Sequence, residues 1–493
     1  MKRLYQQIVM LLASTIFGWA IIAVAAFQGI WIAVSSRYPM AFDEAYHYNL
    51  IKLHSDIISP IIYQQPAGQA PYGALARDPS QLYHFLLSIP YRLLESVGAS
   101  EFVTVVTLRM FSVAMFCWGL FLFRKLLLRT KASAAAVHAA LLFFILIPTV
   151  PLLAGQLNYD NLQFPLVALT LLSTATFAKQ IVQRKSWLGQ AMWTVLLSLL
   201  GTLNKFTFLP IMAAVFTYML WMIWRHRLHG RKRTTFKQWQ ALQKHTRRVQ
   251  LGAIAILAVL FCWYYGVNTV LYQNPVVQCH QVIDPSRCAS FEPWERNYKL
   301  AQTEQSVSPN PLRFSVDWTG GMFYRLFFTI NGATGPKRYT NHVAMPIAIA
   351  AAVLSVCGAV ITLRYLRRIL AHDPVFVMIL FAGMVYVVSL WGRNFNDYLN
   401  LGQMVAINGR YLHPILLPFI LLLIAGYQHA FRLMPGVKLV ILLLAIALFS
   451  VGGGITGFIH YSDADWYFEG QVFLVKLNDL SRTIISPLFL WRA

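Results

Sequence analysis

The chain opens with an apolar stretch over residues 8–34, IVMLLASTIFGWAIIAVAAFQGIWIAV, in which 27 consecutive positions carry no charged side chain. A membrane-spanning helix needs about 20 such residues, whereas the apolar segment of a secretory signal peptide has only about 7–15. Lys2 and Arg3 precede the stretch, as they would in either case. Its length favours a first membrane span that is retained over a signal peptide that is cleaved.

The composition of the whole chain extends this interpretation to most of the protein. Hydrophobic residues make up 57% of the 493 positions and charged residues only 12%, about half the share of charge in a soluble domain. So few charges cannot coat a soluble surface of this size. We therefore predict an all-α polytopic membrane protein with about eleven transmembrane helices. Their approximate positions are 8–34, 102–123, 132–152, 161–178, 187–203, 206–224, 250–272, 343–363, 374–391, 411–431 and 437–458.

Basic residues are distributed unevenly between the two sides of this arrangement. The chain has 41 Lys and Arg against 18 Asp and Glu, which gives a net charge of +23. With the N-terminus in the cytoplasm, nearly all dense basic clusters, such as Arg231-Lys232-Arg233, fall in cytoplasmic segments, and among the acids only Asp373 does. Because cytoplasmic loops are enriched in Lys and Arg, we predict this orientation. The basic loop at 225–249 then binds anionic lipid rather than nucleic acid.

This orientation divides the chain into a transmembrane domain at 1–458 and a short extracytoplasmic tail at 459–493. Two larger outer loops interrupt the transmembrane domain, at 35–101 and at 273–342. Most of the polar chain therefore lies outside the cytoplasm. A functional site is expected among these outer segments.

Two features of the outer loops carry a structural prediction of their own. Residues 83–94, YHFLLSIPYRLL, are aromatic and apolar with one proline, and we expect a helix that lies in the membrane interface. Cys279 and Cys288 share one polar loop. Their spacing allows a disulfide in an oxidising compartment, but spacing alone leaves a pair of free thiols equally open.

Two adjacent carboxylates, Asp43 and Glu44, follow the first span closely, where the chain leaves the membrane. A general base must be ionised and within reach of the group that it deprotonates, and a carboxylate at the bilayer surface meets that need for a lipid-linked substrate. The structural alternative is a helix N-terminus, with Asp43 as the cap and Glu44 in the first turn. The two interpretations can coexist, so both residues are candidate catalytic groups.

A third carboxylate, Asp160, is the only acid of a very short outer loop that also contains Asn158. Either residue is also suited to cap the next helix. Lys205 follows Asn204 at the tip of a predicted helical hairpin, between two apolar runs. A lysine at this depth is costly unless it meets an anion or water. We predict a contact with a lipid phosphate or, alternatively, a side chain that extends to the headgroups.

The segment before the tenth predicted span reads Asn408-Gly409-Arg410-Tyr411-Leu412-His413-Pro414. Arg410 offers a planar, bidentate set of donors for phosphate, and Gly409 lets the backbone approach a neighbour closely. His413 either donates to the same group or packs in the core. The alternative for Arg410 and Tyr411 is an aromatic and basic anchor at the membrane interface.

Two weaker candidates complete the set. Arg109 lies inside the second predicted span and needs an internal partner, and Asp463-Ala464-Asp465-Trp466 is either a surface for an acceptor or a solvated loop. The stronger candidates all fall at the outer ends of spans. Asp43, Glu44 and Asp160 are the candidate catalytic residues, and Lys205, Arg410, His413, Tyr411 and Asn158 are the candidate ligands of substrate and phosphate. No typical metal-binding run is present, so we predict neither a metal nor another cofactor.

Together these motifs resemble the GT-C superfamily of integral-membrane glycosyltransferases. The layout over roughly residues 1–430 is closest to bacterial proteins akin to the protein O-mannosyltransferases and the aminoarabinose lipid A transferases, and Gly409 to Pro414 is similar to a GRY-x-x-P element of that superfamily. The resemblance implies a polyprenyl-phosphate sugar donor, inverting transfer at the outer face of the bacterial cytoplasmic membrane, and a glycan, lipid or protein acceptor. It implies Asp43 as general base, or Glu44 if the two roles are reversed. Glu44 and Asp160 would orient substrate, and Lys205 and Arg410 would face the phosphate.

Three other functions remain open. A transporter or flippase of lipid-linked sugars would place charged residues along a pathway through the membrane, with broken helices in both halves. A ligase or polymerase of surface polysaccharide would use the same kind of donor and depend on basic residues of the loop at 273–342. A non-catalytic assembly protein is a third alternative. An enzyme requires the outer ends of the first, sixth and tenth spans to meet at one site.

Overall fold

A computed structural model of the protein describes residues 2–227, 244–303, 310–333, 339–371 and 373–488. The basic run Arg231-Lys232-Arg233 lies outside these ranges. Within them, the regular structure is almost entirely helical, and one short antiparallel hairpin is the only sheet. The predicted class, an all-α polytopic membrane protein, is confirmed by this helical content and by the long apolar helices described below.

The helices and strands follow one another along the chain in an order that alternates long apolar helices with shorter surface segments. They are α1 Lys2–Ala13, α2 Thr15–Ser35, α3 Glu44–Ile57, α4 Leu82–Ser96, α5 Glu101–Leu127, α6 Ala134–Leu146, α7 Thr149–Ala154, α8 Asp160–Val182, α9 Leu188–Asn204, α10 Leu209–Arg227, α11 Lys244–Phe261, α12 Val267–Tyr272, α13 Cys279–Val282, α14 Pro285–Cys288, α15 Glu292–Ala301, α16 Pro311–Tyr324, β1 Phe328–Ala333, β2 Tyr339–Val343, α17 Met345–Leu370, α18 Pro374–Leu401, α19 His413–Ala430, α20 Pro435–Gly452, α21 Gly454–Tyr461 and α22 Val472–Ile485.

Nine helical segments of the described chain are long and apolar enough to cross a bilayer. They coincide with nine of the approximately eleven spans that the sequence predicts. The remaining two predicted spans, near 132–152 and 187–203, correspond to the shorter helices α6, with 13 residues, and α9, with 17 residues. The count of eleven therefore stays a prediction, because these two helices are shorter than the roughly 20 residues that span a bilayer.

Three predicted spans are interrupted where hydropathy alone shows no break. The first is divided at Ser14, whose side chain caps α2 by accepting from the Phe17 N–H at 3.1 Å. The third is divided between α6 and α7, where the helix ends at Leu146 and Ile147 is extended immediately before Pro148, which cannot continue the helical hydrogen bonds. The last is divided at Gly453, between α20 and α21. These breaks allow single membrane segments to change direction within the bundle.

Close helix packing positions the helices that carry the site. α8 packs most extensively against α5 and also against α9. A Cβ added at Gly119 of α5 would lie 2.4 Å from the ring of Phe164 on α8, so glycine permits this close approach. Phe164 in turn stacks on Phe116 and Phe123, with ring centroids 5.4 and 4.5 Å apart. The start of α8, where Asp160 lies, is thereby held against the rest of the bundle.

The surface segments form compact structure rather than open loops. Cys279 and Cys288 form a disulfide, which confirms the bonded alternative. The side chain of Arg287 donates to the backbone carbonyls of Pro66 and Gly68, so the disulfide-bonded segment is attached to the first loop. The helix predicted over 83–94 is present as α4, Leu82–Ser96.

The tail also packs on the first loop. Trp466 is completely buried, and its Nε1–H donates to Ser36 Oγ at 3.2 Å. The backbone N–H of Arg37 donates to the Trp466 carbonyl at 2.9 Å. The described part of the tail is therefore part of the packed fold. For Trp466 itself, the solvated-loop interpretation is wrong, because its large ring is removed from water.

Candidate functional site

Four segments that are distant in the sequence meet at one end of the helical bundle, which we call the site end. They are the loop after α2, the start of α8, the junction between α9 and α10, and the turn Gly409–Leu412 before α19. Hydrogen bonds, ion pairs and ring contacts join their side chains directly. The four motifs selected from the sequence therefore belong to a single site.

Asp43 lies in the turn that leads into α3, and the unusual backbone conformation of this turn is consistent with the exposed position of its carboxylate. Phe42 and Asp43 both have left-handed backbone conformations, with φ values of 61° and 69°, which non-glycine residues seldom adopt. Asp43 occupies the N-cap position of α3 but makes no capping hydrogen bond. Its side chain is 64% exposed, and Oδ2 accepts from Arg410 Nη2 at 2.8 Å. The strained turn thus directs this carboxylate to a cation across the site instead of to its own helix.

Arg410 is almost completely buried, with 7% of its side chain exposed. Besides Asp43, its guanidinium donates from Nη1 to the Phe42 carbonyl at 2.9 Å, and its Cζ lies 5.1 and 5.3 Å from the ring centroids of Phe42 and Tyr411. Among the described residues, no acceptor pairs with its buried Nε. A guanidinium has five N–H donors, so several remain for an anion. The geometry suits a phosphate ligand.

Glu44 has a very different environment from its neighbour in the sequence. Its side chain and that of Arg109 are both completely buried, and the two form an ion pair with bonds of 2.8 and 2.7 Å. Glu44 also accepts from the backbone N–H groups of Met40 and Leu157, at 2.6 and 3.0 Å. Arg109 donates further to three carbonyls at the end of α2 and just beyond it. Glu44 is therefore enclosed by protein donors and joins three segments, and Arg109 has the internal partner that its depth requires.

Lys205 and Asp160 form a second buried ion pair, and this pair faces the site. Both side chains are at most 4% exposed, and Lys205 Nζ donates to Asp160 Oδ1. The ammonium also lies 4.4 Å from the ring centroid of Tyr159 and 5.1 Å from that of Tyr411, a favourable arrangement of a cation against aromatic faces. The predicted alternative in which Lys205 extends to the headgroups is wrong for this structure, because its ammonium is paired inside the protein.

The Asp43–Arg410 pair and the Lys205–Asp160 pair are connected through the backbone and through one ring. The Phe42 carbonyl accepts from Arg410 Nη1 and also from Asn158 Nδ2, at 2.9 and 3.1 Å, and Asn158 Oδ1 accepts from the Asp160 N–H at 2.9 Å. Tyr411 lies between the two cations. Asn158 thus holds the two loops together, and both polar atoms of its side chain are occupied by protein groups.

His413 lies in the core beneath the site. Its side chain is 3% exposed, its Nε2 is 3.3 Å from the Thr149 hydroxyl, and its ring packs on Phe144. Because Thr149 donates to the Leu326 carbonyl, its oxygen accepts from His413 Nε2–H. Of the two interpretations predicted for this residue, packing in the core describes its position. Among the described residues, no hydrogen bond or ion pair joins the His413 side chain to Arg410, Lys205 or Asp43; only its backbone N–H donates to the Arg410 carbonyl.

Two buried histidines next to the site were not selected from the sequence. His47 lies one helical turn after Asp43, and its Nδ1 is 2.9 Å from Nε2 of His84 on α4. The ring of His47 is 4.7 Å from that of Tyr159, the residue that contacts Lys205. Burial, and next the charges of Arg410 and Lys205, hold the pKa of His47 well below its usual value. The spacing from Asp43 to His47 was a usable signal, because residues four apart share a helix face.

An apolar groove extends along the bundle from the site end. Its volume is about 360 Å³, and it follows α19 from Leu412, between Tyr411 and His413, to Phe431 at the opposite end. At 1.5 Å per residue this distance is about 28 Å, close to the thickness of the hydrocarbon core of a bilayer. The other walls come from α1, α6, α16, α17 and α20. Such a groove suits a long apolar chain; of its described lining residues Leu412 is the one that belongs to the turn carrying Arg410 and Tyr411.

The described residues contain no group of three or more His, Cys, Asp or Glu side chains arranged to hold a metal ion. Comparisons with protein-family models, with curated proteins and with solved structures found no match for this chain. Functional assignment therefore depends on the geometry of the site itself.

Proposed function

We propose that this protein is a membrane glycosyltransferase that moves a sugar from a polyprenyl-phosphate donor to an acceptor at the outer face of the bacterial cytoplasmic membrane. One observation carries the proposal. Two cations with unused donors, Arg410 and Lys205, both contact the ring of Tyr411 beside an exposed carboxylate, and the lining of an apolar groove begins at the next residue, Leu412. These are the groups that a lipid-linked phosphosugar requires: an anion site, a base and a place for an apolar tail.

The cations supply the anion site. Lys205 has three N–H donors, of which one serves Asp160, and Arg410 retains donors beyond its bonds to Asp43 and the Phe42 carbonyl. Both side chains are buried, so charge stabilisation of a leaving phosphate would be stronger here than in water. Asp160 keeps Lys205 in place, and Glu44, through Arg109, keeps the loop that carries Asp43 in place.

Asp43 is the general base in this proposal. Its carboxylate is the exposed one of the three at the site. In the transfer step, the acceptor hydroxyl or amine attacks C1 of the sugar while Asp43 takes its proton. The bond between C1 and the phosphate oxygen breaks, and the polyprenyl phosphate leaves with the electron pair. Attack from the side opposite the phosphate inverts the configuration at C1.

Two further observations support an extracytoplasmic site. The disulfide Cys279–Cys288 belongs to a segment that packs on the first loop, and disulfides persist mainly in oxidising compartments. Basic residues occupy the last turns of α5 and α8, away from the starts of these helices at the site end. Cytoplasmic ends of spans are enriched in such residues.

The test is turnover by the purified protein in lipid–detergent micelles with radiolabelled polyprenyl-phosphate hexoses and pentoses, compared with Asp43→Asn. We expect the wild type to consume a donor, and the variant to lose at least about 100-fold in turnover while it still binds polyprenyl phosphate. Asp56→Asn is the matched control, because Asp56 is an exposed carboxylate of the same helix. Unchanged turnover in Asp43→Asn would contradict the assignment of the base.

The transporter alternative gains one observation from the structure. Helices are interrupted at Pro148 and at Gly453, in two different parts of the chain, and broken helices are common in transporters. The same samples distinguish the two functions when reconstituted in vesicles. Movement of a lipid-linked sugar across the bilayer without consumption of the donor would favour transport, whereas donor consumption favours transfer. Growth of a glycan polymer from the donor would favour the ligase or polymerase alternative.

A further inference from the structure

The buried histidine pair beside the site has a defined pattern of protons. His84 Nδ1 lies 3.1 Å from the Ser80 carbonyl, which can only accept, so His84 carries its proton on Nδ1. Burial holds the pKa of His84 well below its usual value, so its ring is neutral and Nε2 has a free electron pair. His84 Nε2 therefore accepts, and His47 Nδ1–H donates to it over 2.9 Å.

This pattern determines what His47 offers to the site. A neutral imidazole with its proton on Nδ1 has an acceptor on Nε2 and no second donor. The ring is 2% exposed and is held by stacking on His84 and by contact with Tyr159, with ring centroids 5.2 and 4.7 Å away. The backbone N–H of His47 donates to the Asp43 carbonyl at 3.1 Å. His47 therefore lies one helical turn from Asp43 and against the Tyr159 ring that contacts Lys205.

We infer that His47 is a positioning residue whose Nε2 accepts a hydrogen bond from one hydroxyl of the transferred sugar. The inference rests on the proposed function and adds a determinant of sugar specificity to it. A site that accepts from a particular hydroxyl discriminates against a sugar that lacks it, because the buried acceptor would then lose its partner. His84 contributes indirectly, since it prevents His47 from presenting a donor instead.

Two substitutions at His47 separate its two ring nitrogens. In His47→Asn the amide lies near the position of Nδ1, so it can still donate to His84, but no atom remains near Nε2. In His47→Gln the amide reaches the position of Nε2 and supplies an acceptor there. His54→Asn is the matched control, because His54 is a buried histidine of the same helix that also stacks on His84, with ring centroids 6.5 Å apart, while its Nδ1 bonds to the Ser59 carbonyl at 2.9 Å.

The experiment measures kcat/KM for the donor that the wild type consumes and for each of its monodeoxy forms. In the wild type we expect one deoxy donor to be used about 10- to 100-fold less efficiently than its parent. In His47→Asn that difference should disappear, while the other deoxy donors keep their wild-type ratios. His47→Gln should restore part of the difference, and His54→Asn should retain all of it.

The outcomes distinguish this inference from the function on which it rests. If the wild type binds no polyprenyl phosphate and consumes no donor, the proposed function has failed and the role of His47 fails with it. If the wild type is active and every deoxy ratio persists in His47→Asn, only the role of His47 is overturned. If His47→Asn does not fold, the same test is made with His47→Ser, whose short side chain leaves no atom near the position of Nε2; persistence of every deoxy ratio in that variant overturns the role.

Discussion

Replacing Glu44 by Gln and, separately, Asp43 by Asn tests two neighbouring carboxylates that the fold places in opposite environments. Each substitution removes one negative charge and preserves the size of the side chain. Glu44 is completely buried and paired with Arg109, whereas Asp43 is 64% exposed and paired with Arg410. We expect the first substitution to act on stability and the second on catalysis.

The expected magnitudes follow from these contacts. Glu44 accepts two bonds from Arg109 and two from backbone N–H groups, and a glutamine would turn its NH₂ group toward some of these donors. Removing one partner of a buried ion pair costs about 3–5 kcal/mol. In Asp43→Asn the amide oxygen of the new side chain can still accept from Arg410, and an exposed charge contributes about 0.2–1 kcal/mol. We therefore expect Asp43→Asn to lower the free energy of unfolding by less than about 1 kcal/mol.

Denaturant titration in mixed micelles, followed by tryptophan fluorescence, measures the first effect, and donor turnover measures the second. A double variant with Glu44→Gln and Arg109→Met should lose less stability than the sum of the single variants, since neither charge is then left alone. Two results would refute the reasoning. One is an unfolding free energy in Glu44→Gln equal to that of the wild type, and the other is a loss in Asp43→Asn as large as in Glu44→Gln.

Three further predictions concern other parts of the site and its surroundings. Lys205→Met should abolish binding of polyprenyl phosphate, and it should cost about 3–5 kcal/mol of stability because the buried Asp160 carboxylate loses its cation. Lys205→Arg should retain the stability. Lipid binding and denaturant titration measure the two effects in each variant. Cys279 and Cys288 should react with a membrane-impermeant maleimide on intact cells only after reduction, and labelling only in lysed cells would contradict the outer location. Because folding lowers the pKa values of His47 and His84, the unfolded state binds more protons in acid than the folded state does. The free energy of unfolding should therefore fall as the pH drops below about 6.5. A free energy of unfolding that stays constant from pH 7 to pH 5 would argue against neutral, buried rings.

Hydropathy is sufficient to predict the membrane class and the approximate ends of most spans. It is not sufficient to find the interruptions at Ser14, Pro148 and Gly453, since the residues on both sides of each break are apolar and the profile stays high. A proline or glycine within an apolar run is compatible with both a kinked and a divided helix. Which of the two occurs depends on neighbouring helices, which a single sequence does not describe.

The site motifs can be located from the sequence, but the partners of their side chains cannot. Glu44 and Arg109 are 65 positions apart, and Asp43 and Arg410 are 367 apart, so only the folded bundle joins them. In the sequence Asp43 and Glu44 are interchangeable as candidate bases, and the left-handed turn at Phe42 and Asp43 separates them. For His413 the sequence is compatible both with a contact to phosphate and with packing in the core. In the structure its ring lies in the core, where it meets the Thr149 hydroxyl of a neighbouring helix.

Arg410 connects the two halves of the proposed chemistry. In the structure its Nη2 donates to Asp43 while its Nη1 donates to the Phe42 carbonyl, so in the proposed reaction one guanidinium would serve both the base and the anion site. A phosphate that arrives between Arg410 and Lys205 competes with Asp43 for these donors, and a carboxylate released from its cation is a better proton acceptor. Binding of the donor would therefore activate the base. An ordered reaction follows from this arrangement, in which the lipid-linked sugar binds before the acceptor is deprotonated.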